Sequence, residues 1–273
     1  MTLGEVLAGA TDYLAGRGVE SARLDAERLI ARALGLSRIE LYTQHDRPLA
    51  EEERARAREL VQRRGRREPL AYVLGDWDFR RLTLKTDARA LVPRPETEIV
   101  VERCLELLDS VDEPTVVDVG TGTGAIALAI AQERPEARVI ATDASPEALA
   151  LAHENAAANG LEVTFVETDL LRGVDGSFDL VVSNPPYVLP GELDGLEPEV
   201  RDWEPRSALL DEGQTERLAD QARQRLRGWL VLEVHAEGAR RAAALLRSLR
   251  YDEVAVRTDL TGCERIVEGR WNG

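Results

Sequence analysis

The chain has 273 residues, 44% of them hydrophobic, enough to bury a sizeable core in one large domain or two modest ones. Its formal net charge of -15 and pI near 4.8 repel phosphate backbones unless basic residues are segregated onto one face, which disfavours non-specific nucleic-acid binding. The opening "MTLGEVLAGA" has no basic segment ahead of an apolar stretch, and no apolar run reaches the length of about 18 residues that a membrane span needs; the expectation is a soluble cytoplasmic protein.

Residues 1–75 read as short helices. In "TLGEVLAGATDYLAGRG", Leu3, Val6, Leu7, Ala10 and Leu14 fall on one helical face, with Thr2 as N-cap and Gly16 and Gly18 as stops. "SARLDAERLIARALG" repeats the plan, "SRIELYTQ" is shorter, "LAEEERARARELVQRRG" is charged, and "EPLAYVLG" adds a last turn or two ending at Gly75. Together they predict a small helical bundle. The arginines between Arg54 and Arg67 are interleaved with glutamates, which suits either a solvated helix face or a docking patch for an acidic partner.

Over residues 76–92 the period shortens. Trp77 with Phe79, then Leu82 with Leu84, alternate with polar residues as in a β-hairpin, and this stretch is expected to be a linker. Residues 93–273 open with "PETEIVVERCLELLDSV", where Pro95 and the acids after it suit a helix N-terminus. Apolar strands then alternate with helices: "TVVDVG", "GAIALAIAQE", "RVIATD", "SPEALALAHENAAANG", "VTFVETD", "FDLVVSN", "QTERLADQARQRLRG", "WLVLEVH", "EGARRAAALLRSLR", "DEVAVRT" and "ERIVEGRW". The predicted fold is α/β, a seven-stranded, mostly parallel, doubly wound sheet with a small N-terminal helical bundle. The last two strands are separated only by "DLTGC" and should form an antiparallel hairpin at the sheet edge.

Metal and thiol chemistry find little support. Cys104 and Cys263 have no paired spacing, and His45, His153 and His235 are scattered, so neither a disulfide framework nor a metal is expected. The glycine turn in "VVDVGTGTG" is more informative. Gly120, Gly122 and Gly124 let the backbone approach a ligand closely, and Asp143, about 20 residues on, is placed to accept both ribose hydroxyls of an adenosine. Asp169, ending the next strand, would receive the adenine amino group. A nicotinamide dinucleotide site shares this turn, but the chain has no hydride-transfer constellation after it.

The fourth strand instead ends in "SNPPYV". Asn184 and Pro185 each precede a proline and are pushed into extended conformations, giving a stiff shelf of acceptors. The Asn184 side-chain oxygen and the Pro185 carbonyl can hold the two hydrogens of a planar NH2 group, beside the ring of Tyr187. Two aimed acceptors turn the nitrogen lone pair toward the sulfonium methyl of S-adenosylmethionine, so the expected chemistry is in-line methyl transfer, with no histidine base and with S-adenosylhomocysteine as product.

Several segments together carry a family resemblance: "REPLAYVLGDWDF", "ALVPRPETE", "VVDVGTGTGAIALAIA", "IATDASPEAL", "VVSNPPYV", "WEPRSALLDEG" and the ending "LLRSLRYDEVAVRTDLTGCERIVEGRW". The chain resembles class I S-adenosylmethionine-dependent methyltransferases, and within them the HemK/PrmC type, the glutamine-N5 methyltransferases of peptide chain release factors. The resemblance implies that Gly120, Thr121, Gly122, Thr123, Gly124, Asp143, Asp169, Leu170 and Asn184 hold the cofactor. It also implies that Asn184, Pro185, Pro186 and Tyr187 hold the glutamine and direct catalysis, with Phe79 and Arg94 lining its pocket. Leu170 departs from the pattern, since relatives often carry an aromatic there. The implied partner is a release factor, docked by the helical bundle onto a monomeric enzyme. The alternative substrates are a glutamine of a ribosomal protein and the exocyclic amine of an adenine in RNA or DNA, since a glutamine amide and that amine present the same flat NH2; a cofactor-binding module without catalysis is the third class, against which the intact "NPPY" argues.

Overall fold

The computed structural model describes residues 1–273. They form two compact units, residues 1–76 with 196–203, and residues 77–195 with 204–273.

The first unit is helical. Helix α1 (Leu3–Gly16) is started by a capping box in which Thr2 and Glu5 satisfy each other's backbone N–H groups. Helix α2 (Ala22–Leu34) ends on Gly35 in the left-handed region at φ 65°, and α3 (Arg38–Thr43) repeats the box with Ser37 and Glu40. Helices α4 (Glu51–Gly65) and α5 (Leu70–Leu74) complete the run. Their apolar stripes converge on Leu3, Leu14, Leu29, Ile30 and Leu41, all fully buried. The charged face of α4 is neither wholly solvated nor free. Arg64 is buried and donates to Asp25 and to Glu199, both at 2.7 Å, and Arg67 holds Glu199 as well at 2.6 Å. Glu199 lies on a six-residue helix, Pro198–Trp203, which belongs to this unit although it comes far later in the chain.

The second unit begins at Trp77, within the hairpin of β1 (Asp76–Phe79) and β2 (Leu82–Lys85). The expected linker is instead part of the core. Phe79, Leu82 and Leu84 are buried against helix α6 (Pro95–Leu108) and one face of the sheet, because a hairpin of two four-residue strands with three buried apolar side chains needs a surface to cover them. The chain continues through β3 (Thr115–Val119), α7 (Ala125–Glu133), β4 (Arg138–Asp143), α8 (Pro146–Asn159), β5 (Thr164–Glu167) and β6 (Phe178–Ser183). After the helix Pro198–Trp203, here α9, come α10 (Gln214–Ala222), β7 (Leu226–Glu233), α11 (Ala239–Ser248), β8 (Asp252–Thr258) and β9 (Glu264–Arg270).

The seven strands β3 to β9 are ordered β5-β4-β3-β6-β7-β9-β8, parallel except that β9 runs antiparallel to both its neighbours. Successive residues of β3, β6 and β7 alternate between two cores, one under α6 and α7, the other under α10 and α11. The terminal hairpin forms as expected, with β8 at the edge. The helix over residues 214–228 is shorter than its pattern suggests, because Leu226 to Gly228 already belong to β7. The strand reversal falls between β3 and β6, which stay paired to their last residues, Val119 and Ser183, and the segments leaving these two carboxyl ends border the crevice where such sheets bind ligands. No helix is long and apolar enough to cross a membrane.

Candidate active site

A cavity of about 770 Å³ lies at the carboxyl ends of β3, β4, β5 and β6, within the range of small-molecule sites. Its floor is the glycine turn. Gly120, Gly122 and Gly124 have φ of 73°, 56° and 85°, the left-handed conformation that side chains rarely adopt. The turn hangs on β4, because Gly120 and Thr121 both donate their N–H to the carbonyl of Thr142, at 2.8 and 2.9 Å. Asp143, at the end of the same strand, accepts from Gly122 N–H and Ser145 N–H, both at 2.9 Å. Burial moves its carboxyl up, against the three backbone N–H groups that hold it down.

The structure brings Gly120, Thr121, Gly122, Thr123, Asp143, Asp169, Leu170, Asn184, Pro185, Pro186 and Arg94 onto one cavity wall. Three expected residues are placed differently. Gly124 is off the wall and serves the turn itself, since a Cβ there would stand 3.1 Å from Leu128 and 3.3 Å from Ala152. Phe79 is 1% exposed in the core beneath the hairpin and cannot line a substrate pocket. Tyr187 lies just outside the cavity, partly exposed, with its ring 5.9 Å from that of His235.

Arg94 is held by Glu204, which is buried and accepts from the guanidinium at 2.7 and 2.8 Å and from Val92 N–H at 3.2 Å. That grip fixes the Leu91–Arg94 stretch of the wall. On the other side of the shelf the Ser183 hydroxyl donates to the Val119 carbonyl at 2.7 Å, a side-chain tie added to the paired ends of β6 and β3 just before Asn184.

Sequence reasoning passed over Asp118, in the middle of the apolar strand β3. It is 1% exposed, accepts from the Thr121 hydroxyl at 2.6 Å and Ala127 N–H at 3.2 Å through one oxygen, and leaves the other unpartnered. Burial pushes its carboxyl up to about 7. An acid inside an otherwise apolar strand was the available signal. Asn155 on α8 had none. Its amide accepts from Lys85 N–H at 2.7 Å and donates to the carbonyls of Lys85 and Thr123, at 3.1 and 2.9 Å, joining the hairpin to the glycine turn.

An acid beside the glycine turn, a second acid just past the end of β5 and the Asn184–Pro186 shelf thus line one cavity. The chain is also similar to known proteins. The PrmC N-terminal domain family matches residues 5–75, and the methyltransferase small domain family matches residues 98–194. A release factor glutamine methyltransferase of Deinococcus radiodurans is 43% identical over the full length of both chains. One from Geobacter sulfurreducens is 40% identical, covering 98% of this chain and 96% of its own. Among solved structures, a 16S rRNA methyltransferase of T. thermophilus in complex with AdoMet and guanosine shares the fold alone, with a TM-score of 0.55 and 17% identity over 72% of this chain and 49% of its own. With two relatives this similar end to end, the chain belongs to the release factor glutamine methyltransferase family.

Proposed function

We propose that this protein transfers the methyl group of S-adenosylmethionine to the side-chain amide nitrogen of the glutamine in the Gly-Gly-Gln motif of peptide chain release factors. The observation that carries the reading is the Asn184–Pro186 shelf, which stands on the same cavity wall as the glycine turn and Asp143. The full-length relatives named for release factor glutamine support the choice of substrate.

The residues fit the cofactor. Asp143 suits the ribose hydroxyls and Asp169 the adenine amino group, both on the cavity lining. When bound, S-adenosylmethionine supplies an electrophilic methyl on a sulfonium. The chain's own residues then do the rest. Asn184 Oδ1 and the Pro185 carbonyl accept the two amide hydrogens, fix the plane of the NH2 and hold its lone pair along the line of attack. Held this way, the nitrogen would face the methyl group in line, and of the two hydrogens that Asn184 Oδ1 and the Pro185 carbonyl hold, one would leave to water as the methyl takes its place. Orientation of this kind is worth up to roughly 7 to 11 kcal/mol of barrier. The helical unit supplies the surface that would dock the body of the release factor.

The test is mass spectrometry of purified release factor after incubation with the protein and S-adenosylmethionine. One methyl group on the Gly-Gly-Gln glutamine is expected. Asn184→Ala should lower the rate about 100- to 1000-fold, as loss of one aimed hydrogen-bond partner does elsewhere, while calorimetry shows cofactor binding nearly intact. Label appearing instead in ribosomal protein or nucleic acid of the same lysate would move the substrate and keep the cofactor site.

A further inference from the structure

No aromatic ring lines the cavity. A bound adenine is a flat ring with two faces to cover, and the broad planar groups on this wall are the guanidinium groups of Arg89, Arg94, Arg206 and Arg217. Two are committed elsewhere. Arg94 is held by buried Glu204, and Arg89 is held by Asp87 and Glu154. Arg206 sits on the short turn Arg206–Ala208, in the segment after α9. Arg217, on α10, is tied through Nη1 to Asp169 Oδ2 at 2.8 Å, beside Leu170.

The backbone at this point is unusual. Leu170 has φ 58°, and its carbonyl accepts from the Thr142 hydroxyl at 3.0 Å, while Leu171 N–H is held by Gln221 at 3.1 Å. Gln221 and Arg217 are one helical turn apart on α10, so one helix both anchors the Leu170 loop and reaches the carboxylate beside it. The Arg217 and Asp169 side chains remain 44% and 41% exposed, so the pair is a weak stabiliser of the fold. Its position on the wall points to a ligand.

We propose that Arg217 binds the adenine end of the cofactor: its guanidinium, tethered to Asp169 by one hydrogen bond, covers a face of the adenine ring that no aromatic side chain covers. The proposal rests on the cofactor reading given above. Arginine suits this task because its cation is planar, delocalised and weakly hydrated; a lysine at the same place keeps the charge and loses the plane.

Calorimetric titration of the full-length protein with S-adenosylhomocysteine and with 5′-methylthioadenosine, which has the adenine but no amino-acid end, tests it. Arg217→Ala should weaken both ligands by the same factor, about tenfold, with the melting temperature unchanged. Arg217→Lys should lose most of that factor too, and adding Leu170→Phe to Arg217→Ala should restore most of it by supplying another flat face. Wild-type affinity in Arg217→Ala or in Arg217→Lys would overturn the proposal, as would a double variant no better than Arg217→Ala. A wild-type protein that binds neither ligand would overturn the cofactor reading along with it, whereas normal wild-type binding with unchanged variants overturns the role of Arg217 alone.

Discussion

Glu233 ends β7 with one carboxylate oxygen unpartnered and 4% of its surface exposed. Burial, with the charge of Glu96 adding to it, outweighs the Thr97 hydroxyl and the charges of Arg265 and Arg94, and pushes the carboxyl up to about 7. In the unfolded chain a glutamate titrates near about 4.3. Between those values the folded protein binds more protons than the unfolded one. The stability this group contributes is therefore full below about pH 4 and is lost as pH rises through about 7. Glu233→Gln keeps a neutral side chain of the same shape at every pH. The unfolding free energy of the variant relative to wild type, from urea titrations, should rise by about 1 to 3 kcal/mol between roughly pH 5 and pH 8. A constant difference would mean that Glu233 is ionised in the folded protein throughout. Asp118 follows the same sign for the same reason. Both acids were visible as interruptions of apolar strands, yet a strand pattern alone does not say whether an acid at its end faces solvent or the interior; that depends on which neighbour covers it.

The elements themselves were readable, because strand and helix periods and the glycine stops are local. Capping boxes, the left-handed stop at Gly75 and the alternation along β2 all arise from residues a few positions apart. What local pattern could not show is how the hairpin is attached. Three hydrogen bonds from the 1% exposed amide of Asn155 bind Lys85 and Thr123, residues distant in sequence from it and from each other. These bonds couple the hairpin, and the wall beyond it at Arg89 to Arg94, to the glycine turn. Asn155→Ala leaves three backbone groups without this partner and should cost about 2 to 4 kcal/mol in denaturant unfolding. It should also weaken S-adenosylhomocysteine binding measured well below the melting temperature, because the turn loses its anchor at the Thr123 carbonyl. Unchanged affinity in a destabilised variant would confine Asn155 to the fold.

At the scale of the whole molecule, the division of the chain does not follow its linear order. The sequence predicts one cut near residue 75, yet residues 196–203 belong to the helical unit. The reason they are hard to place is physical: the apolar residues of "LEPEVRDW" are only Leu196, Val200 and Trp203, none of them fully buried, and its Glu199 is held by arginines far away in sequence, Arg64 and Arg67. Glu199 reaches buried Arg64, which also holds Asp25, and removing any one member would leave the others desolvated without full pairing. If this network is what orders the segment, its stability must track that of the helical core. Leu29 is fully buried there, and Leu29→Ala should cost about 2 to 5 kcal/mol within that unit. Native-state hydrogen exchange on the full-length variant should then show amides of 196–203 speeding up together with those of α1, α2 and α4, while β3, β6 and β7 keep their wild-type rates. Exchange at 196–203 that stays with the strands would mean that the ion pairs follow the segment's position and do not determine it.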